Sequence, residues 1–136
     1  MPLPREMNEY ESVWWSMEVA SGWLADGSAE CITFCREDGT GALQISAYKH
    51  ESGIVPEDDV RDFIRDESPD EAILQQVSCG EFIGSGLEYV DDGKFWLKRW
   101  LRSGPVLLYV TYNSNAEDCS LETDDVNRMI TTLKRR

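Results

Sequence analysis

A chain of 136 residues, 41% hydrophobic and 29% charged, fits one globular domain that buries its own core, and no apolar run approaches the roughly 18 residues that span a bilayer. The formal net charge of −13 repels phosphate backbones and anionic lipid surfaces, which sets aside nucleic-acid and membrane binding. Met1 to Tyr10 lack the basic start and apolar centre of a signal peptide, so the expected location is the cytoplasm.

Residues 1–11 carry two prolines and several charges without periodicity and read as a loose lead-in to a single domain over 12–136. The first strand is expected over Val13 to Val19, with Val13, Trp15, Met17 and Val19 on one face and Trp14, Ser16 and Glu18 on the other. Ser21-Gly22 ends it, and Trp23 folds back onto the core. After the turn Asp26-Gly27-Ser28, Glu30 to Arg36 alternates Ile32 and Phe34 against Cys31, Thr33 and Cys35. Asp38-Gly39 marks a hairpin into a third strand, Gly41 to Tyr48, with Leu43, Ile45 and Ala47 inward and Gln44, Ser46 and Tyr48 outward.

A helix begins near Pro56, a residue suited to the first helical position. Val60, Phe63 and Ile64 share a face at i, i+3 and i+4, and that face is expected to cover the apolar side of the strands. Ser68-Pro69-Asp70 breaks this helix, and Glu71 to Gln76 reads either as another helical turn or as the approach to a strand. Three strands follow, over Glu81 to Val90, Phe95 to Arg102 and Val106 to Asn113, joined by Asp91-Asp92-Gly93-Lys94 and Ser103-Gly104-Pro105. Links this short leave room only for antiparallel hairpins, because parallel strands need a crossover of a dozen or so residues. Asn113 to Ser120 reads as a polar loop. The last helix has Thr123 at its N-cap, a core stripe of Val126, Met129, Ile130 and Leu133, and Lys134 to Arg136 at its negative end. The fold class is α+β: a twisted antiparallel sheet of about six strands, with a helix after strand three and a C-terminal helix packed on it.

Trp23, then Cys31-Ile-Thr-Phe34, then Asp38-Gly-Thr-Gly-Ala-Leu-Gln-Ile-Ser46, within this order of strands and helices, resembles the photosystem extrinsic protein PsbP, the Ran-binding Mog proteins and related small bacterial proteins. The resemblance covers most of the chain in layout. It implies a PsbP/Mog-like fold and a binding, adaptor or chaperone-like role in a bacterium rather than a reaction.

Catalysis needs a nucleophile with its base, a metal cluster, a phosphate loop or a tuned carboxylate pair. His50 stands alone at a strand end between Lys49 and Glu51. Cys31, Cys35, Cys79 and Cys119 form neither a CxxC pair nor a disulfide framework, and an intracellular chain of this size needs none. Gly80, Gly84 and Gly86 precede a strand without the Lys-Ser or Lys-Thr of a phosphate loop, and so mark a bulge or close packing under a helix. Asp91-Asp92 reads as a turn. No enzyme activity, metal or cofactor is expected.

The strand Phe95 to Arg102 places Phe95, Leu97, Arg99 and Leu101 on one face and Trp96, Lys98, Trp100 and Arg102 on the other. If Trp14, Tyr48 and Tyr109 join the second set, the sheet has one aliphatic face under its helices and one aromatic, cationic face suited to another protein, because aromatic and Arg side chains dominate interface hot spots. The expected role is a non-enzymatic protein-binding module, monomeric or weakly dimeric. An acidic immunity-type inhibitor of a basic toxin or nuclease is the alternative, using Glu57, Asp58, Asp59, Asp62 and Asp66. A second alternative is a small hydrolase or thiol enzyme using His50 or a cysteine.

Overall fold

The computed structural model describes residues 8–28, 30–37, 39–69 and 73–136. It is α+β, with two antiparallel sheets and two helices. The larger sheet has seven strands in the order β3 (Trp23–Gly27), β4 (Cys31–Arg36), β5 (Ala42–Lys49), β9 (Val106–Asn115), β8 (Lys94–Ser103), β7 (Phe82–Asp91) and β6 (Gln75–Cys79). The smaller sheet pairs β2 (Trp15–Val19) with β1 (Asn8–Glu11) on one side and with β10 (Lys134–Arg135) on the other. Helix α1 (Glu57–Glu67) follows β5, and α2 (Cys119–Ile130) follows β9.

The three long strands β7, β8 and β9 carry the structure. Asp92 and Gly93 turn β7 into β8 with φ of 51° and 76°, the double positive φ of the tight hairpin turn that matches strand twist. Gly104, at φ 56°, does the same work between β8 and β9. In the resulting register Leu101 lies opposite Leu108 and Leu97 opposite Tyr112, while Trp100 lies opposite Tyr109 and Arg102 opposite Leu107. The alternation expected of β8 is therefore present along its length.

One face of the large sheet presents Ile32, Phe34, Leu43, Ile45, Leu97, Leu101, Leu108 and Val110, all buried. Against it pack Trp15 and Met17 of β2, Val126, Met129 and Ile130 of α2, and Leu133 just beyond that helix. Removing so much apolar surface from water, at about 25 cal/mol per Å², is the main term holding the layers together.

Several sequence expectations are corrected. Among the described residues ten strands form where about six were expected. Asn8–Glu11 is a strand rather than lead-in; Gln75–Cys79 is a strand, and residues 70–72 before it lie outside the described residues, as does Asp38 of the expected hairpin turn. Val13 is exposed, and the first core strand begins at Trp15. Pro56 occupies the N-cap of α1 in extended conformation, one position before the helix proper. The expected polar loop Asn113 to Ser120 is instead the end of β9, a 3-10 turn over residues 116–118 and the first turn of α2, so Thr123 lies inside that helix. Lys134 and Arg135 leave the helix to pair with Ser16 and Trp15.

The largest correction concerns α1. It does not cover the aliphatic face, which belongs to α2 and the small sheet. It lies on the aromatic face, where Phe63 meets Tyr48 and Tyr109. The strand faces were legible, but the side on which a returning helix docks depends on the path of the chain between β5 and β6.

Candidate binding cleft

On the aromatic face Trp100 stacks on Tyr109, with ring centroids 5.5 Å apart and planes inclined 20°. Phe63 of α1 sits tilted on Tyr109 at 4.9 Å and edge-on to Tyr48 at 5.8 Å. Offset and edge-on pairs of this kind satisfy the ring quadrupoles and add to area burial. The Tyr109 hydroxyl donates to the Glu67 carboxylate at 3.4 Å, and its pKa is pushed up by burial first and by the neighbouring Glu67 charge second. Lys98, buried, donates its ammonium to the Glu67 carbonyl at 2.7 Å, so a cation caps the negative end of α1. The same ammonium lies 5.5 Å from the Tyr89 ring centroid and 5.3 Å from that of Trp96.

These rings prop α1 away from the sheet. None of its 11 residues is buried; Val60, Phe63 and Ile64 are only half-buried. Over β5 and β9 the aromatic side chains fill the gap beneath Phe63. Towards β7 and β6 the sheet carries the smaller Ser85 and Ser78, and a cleft of about 730 Å³ opens there. Its wall is the side of α1 that bears Val60, Arg61 and Ile64. Its floor holds Gln76 and Ser78 of β6, Ile83 and Ser85 of β7, and Trp100 and Arg102 of β8. Leu74 also lines the cleft. The volume lies in the range of ligand sites.

The cleft mixes charge with apolar surface. The Arg102 guanidinium reaches the Glu57 carboxylate at 3.2 Å and the Val55 carbonyl at 3.4 Å, and Arg61 pairs with Asp58 at 3.2 Å along the helix. Trp100 is completely buried at the floor, and its Nε1–H has no acceptor among the described residues. Leu74 and Ile83 remain 43% and 57% exposed, and Ile73 beside Leu74 is 83% exposed, a concentration of aliphatic surface at one site.

The sequence-derived binding set is thus divided. Tyr48, Tyr109, Trp100 and Arg102 share one face with Trp96 and Lys98, as expected, but α1 roofs Tyr109 and Trp100, leaving Tyr48 and half-buried Trp96 as the more open rings. Trp14 departs from the set, for it packs against the core on the opposite side of the large sheet. Glu57, Asp58, Asp59, Asp62 and Asp66 are all exposed on α1. Asp58 and Asp62 are paired within the helix to Arg61 and Arg65.

His50 has two partners, the Ser52 hydroxyl at 2.8 Å from Nδ1 and the Asp59 carboxylate at 3.5 Å from Nε2. The set resembles a hydrolase triad only in residue type. Ser52 is two residues from His50 in an exposed turn, its hydroxyl donates to the Ile54 carbonyl at 2.9 Å, and its backbone N–H also points to Nδ1 at 3.2 Å. This is a local turn tied to the start of α1. Neither partner is a thiol, so a Cys–His pair is not assembled. Among the described residues no group of three or more His, Cys, Asp or Glu side chains is placed to hold a metal ion. The four cysteines are free.

Sequence reasoning missed Gln76, Ser78 and Ile83, because neither polar residues before a Gly-containing turn nor a single isoleucine after it signal the helix that will face them. It also missed Glu122, a buried carboxylate inside an expected loop-to-helix junction. The triplet Gly39-Thr40-Gly41 was the available hint. A Cβ at Gly39 would strike the Glu122 carboxylate, and one at Gly41 would strike the Asn113 carbonyl.

No family model matches the chain, and no curated protein does. A solved structure from Bacteroides thetaiotaomicron VPI-5482 is similar in fold, with a TM-score of 0.64 over 90% of this chain at 18% identity. This chain spans 45% of the length of that protein. At such identity the likeness shows the α+β fold alone. Among the described residues no helix is long and apolar enough to cross a membrane.

Proposed function

We propose that the protein is a non-enzymatic binding module that engages another protein through the cleft between α1 and strands β6 to β8. The observation that supports this is the exposed aliphatic surface of Leu74 and Ile83 bordering a concave site, since apolar surface gathered around a concavity marks interaction sites more often than scattered side chains do. The layout resemblance to PsbP and Mog proteins supports the same adaptor or chaperone-like class of role, in the cytoplasm of a bacterium. The acidic-inhibitor reading is weakened by the two intrahelical pairs, which neutralise part of the α1 field.

The test is site-specific photo-crosslinking in the source cell, with the photoreactive residue placed at Ile83 or at Asp62. A defined partner that crosslinks from Ile83, and is lost on Leu74→Asp, is expected. Crosslinking from Asp62 alone would transfer the function to the acidic outer surface of α1.

A further inference from the structure

We infer that the segment entering this cleft presents a carboxylate beside an aliphatic side chain. The inference deepens the proposed function and rests on the cleft being the partner site. Its starting point is a charge contrast: the chain as a whole carries −13, yet the cleft lining holds Arg61 and Arg102 against the single carboxylate of Glu57.

Neither guanidinium is saturated by the protein. Each Arg has five N–H groups. Among the described residues Arg102 uses two, at 3.4 and 3.2 Å, and Arg61 uses one, at 3.2 Å. The partners are also replaceable. The Glu57 side chain is 73% exposed and that of Asp58 85%, so both ion pairs lie in water, where they hold weakly. An incoming carboxylate that takes two parallel N–H groups from one guanidinium forms the stronger, bidentate contact.

The remaining polar lining tells the same way. The Gln76 amide and the Ser78 and Ser85 hydroxyls can each donate to an incoming carboxylate. Together with the two guanidiniums, these groups offer more N–H and O–H donors than the lining can accept, which suits a ligand that brings acceptors. Beside these donors Val60 and Ile64 on the wall and Ile83 on the floor form an aliphatic surface, which fixes the second half of the recognition: an apolar side chain adjacent to the acid. Such a segment satisfies both halves together, whereas a basic segment would place its cations against Arg61 and Arg102.

The probes are two short N-acetylated, C-amidated peptides, identical except for a central Leu-Glu in one and Leu-Gln in the other, titrated into the purified full chain. Binding is followed by the NMR shift of the Trp100 indole N–H. The expected result is a shift of that resonance by the Glu peptide, with affinity about tenfold above that of the Gln peptide. Arg102→Gln should close most of the difference. Because Arg102 also holds the start of α1, Arg61→Gln serves as the second variant; its exposed side chain makes no contact that folding requires. Equal affinity for the two peptides, no binding of either, or a preference that survives both substitutions would overturn the acidic chemistry. If Ile83 crosslinking still identifies a partner in that event, the cleft stays the partner site; if it does not, the underlying reading falls as well. Decanoate displacing both peptides at lower concentration would assign the cleft to a free amphiphilic acid and overturn the protein segment as its occupant.

Discussion

Tyr112 of β9 donates its hydroxyl to the Glu122 carboxylate of α2 across 2.8 Å, with both side chains buried. The same carboxylate accepts the backbone N–H of Gly41 at 3.0 Å and that of Thr40 at 3.3 Å. One acid thereby joins α2, the centre of the large sheet and the turn between β4 and β5. A charge so deep in the protein is tolerated only because its oxygens are met by donors.

Removing that acid strands the donors. Glu122→Ala should cost on the order of 3 kcal/mol, since the buried Tyr112 hydroxyl and the hairpin N–H groups lose their acceptor and a void opens. Tyr112→Phe removes one donor and leaves the carboxylate its backbone partners, so about 1–2 kcal/mol is expected. Urea unfolding of both variants checks the order. A Glu122→Ala protein as stable as wild type would show that the acid does not pin the hairpin.

The same pair sets an alkaline limit on stability. Burial, with the Glu122 charge adding to it, pushes the Tyr112 pKa up to about 12 from an ordinary 10.0, and Tyr109 is raised by burial and then by Glu67. Between those values the folded chain holds protons that the unfolded chain releases, so stability is complete below pH 10 and declines as pH rises towards 12. Urea unfolding at about pH 9 and about pH 11 should show a clear loss for wild type and a smaller one for Tyr112→Phe. Equal losses would mean that Tyr112 does not titrate late.

How much of this was legible in sequence follows from where each signal lies. The β7 to β9 hairpins were readable because Asp92-Gly93 and Gly104 supply positive φ at fixed places between alternating strands. β1 was not, because only Tyr10 of Asn8 to Glu11 packs on the core, and one aromatic among polar residues shows no alternation. β10 was hidden because three terminal cations suit a helix end as well as they suit an edge strand. The faces of β8 were read correctly, but the cleft above them was not, since it arises from Phe63 riding on two tyrosines while small serines line the neighbouring strands.

Cysteine chemistry separates the exposed surface from the core. Cys31 is exposed, whereas Cys79 is buried at the end of β6, and burial pushes its pKa up. Alkylation in native buffer at neutral pH should modify Cys31 first and leave Cys79 intact until denaturant is added, because the thiolate is the reactive form and a buried thiol reaches it rarely. Mass spectrometry of the alkylated peptides measures this. Early labelling of Cys79 would place the β6 edge among the easily opened parts of the protein, and with it one side of the cleft.

Gly84 tests how closely β7 and β8 approach beneath the cleft. A Cβ at this position would collide with the Trp100 backbone carbonyl, which cannot rotate away as a side chain would. Gly84→Ala should therefore destabilise the protein by about 2–4 kcal/mol, against the small gain that alanine brings to an unstrained strand position. Thermal unfolding compares it with Gly53→Ala, where a Cβ meets nothing within 4 Å but φ is 85°, so a smaller loss is expected from backbone strain alone.

Lys98 ties the C-terminal end of α1 to β8. With no buried residue of its own, α1 depends on half-buried Val60, Phe63 and Ile64, on the ion pairs at its start, and at its last residue on the Tyr109 hydroxyl and the Lys98 ammonium. Segments with so few buried contacts open without global unfolding. Lys98→Met keeps the apolar stem beside Tyr89 and Trp96 and deletes the charged donor, a loss of about 1.5–3 kcal/mol concentrated in the helix. Hydrogen exchange should then quicken at the C-terminal end of α1 while β8 and β9 keep their protection. Slower or unchanged exchange there would remove Lys98 as the tether. Faster exchange, together with a change in what the cleft admits, would tie the width of the binding site to a single buried cation.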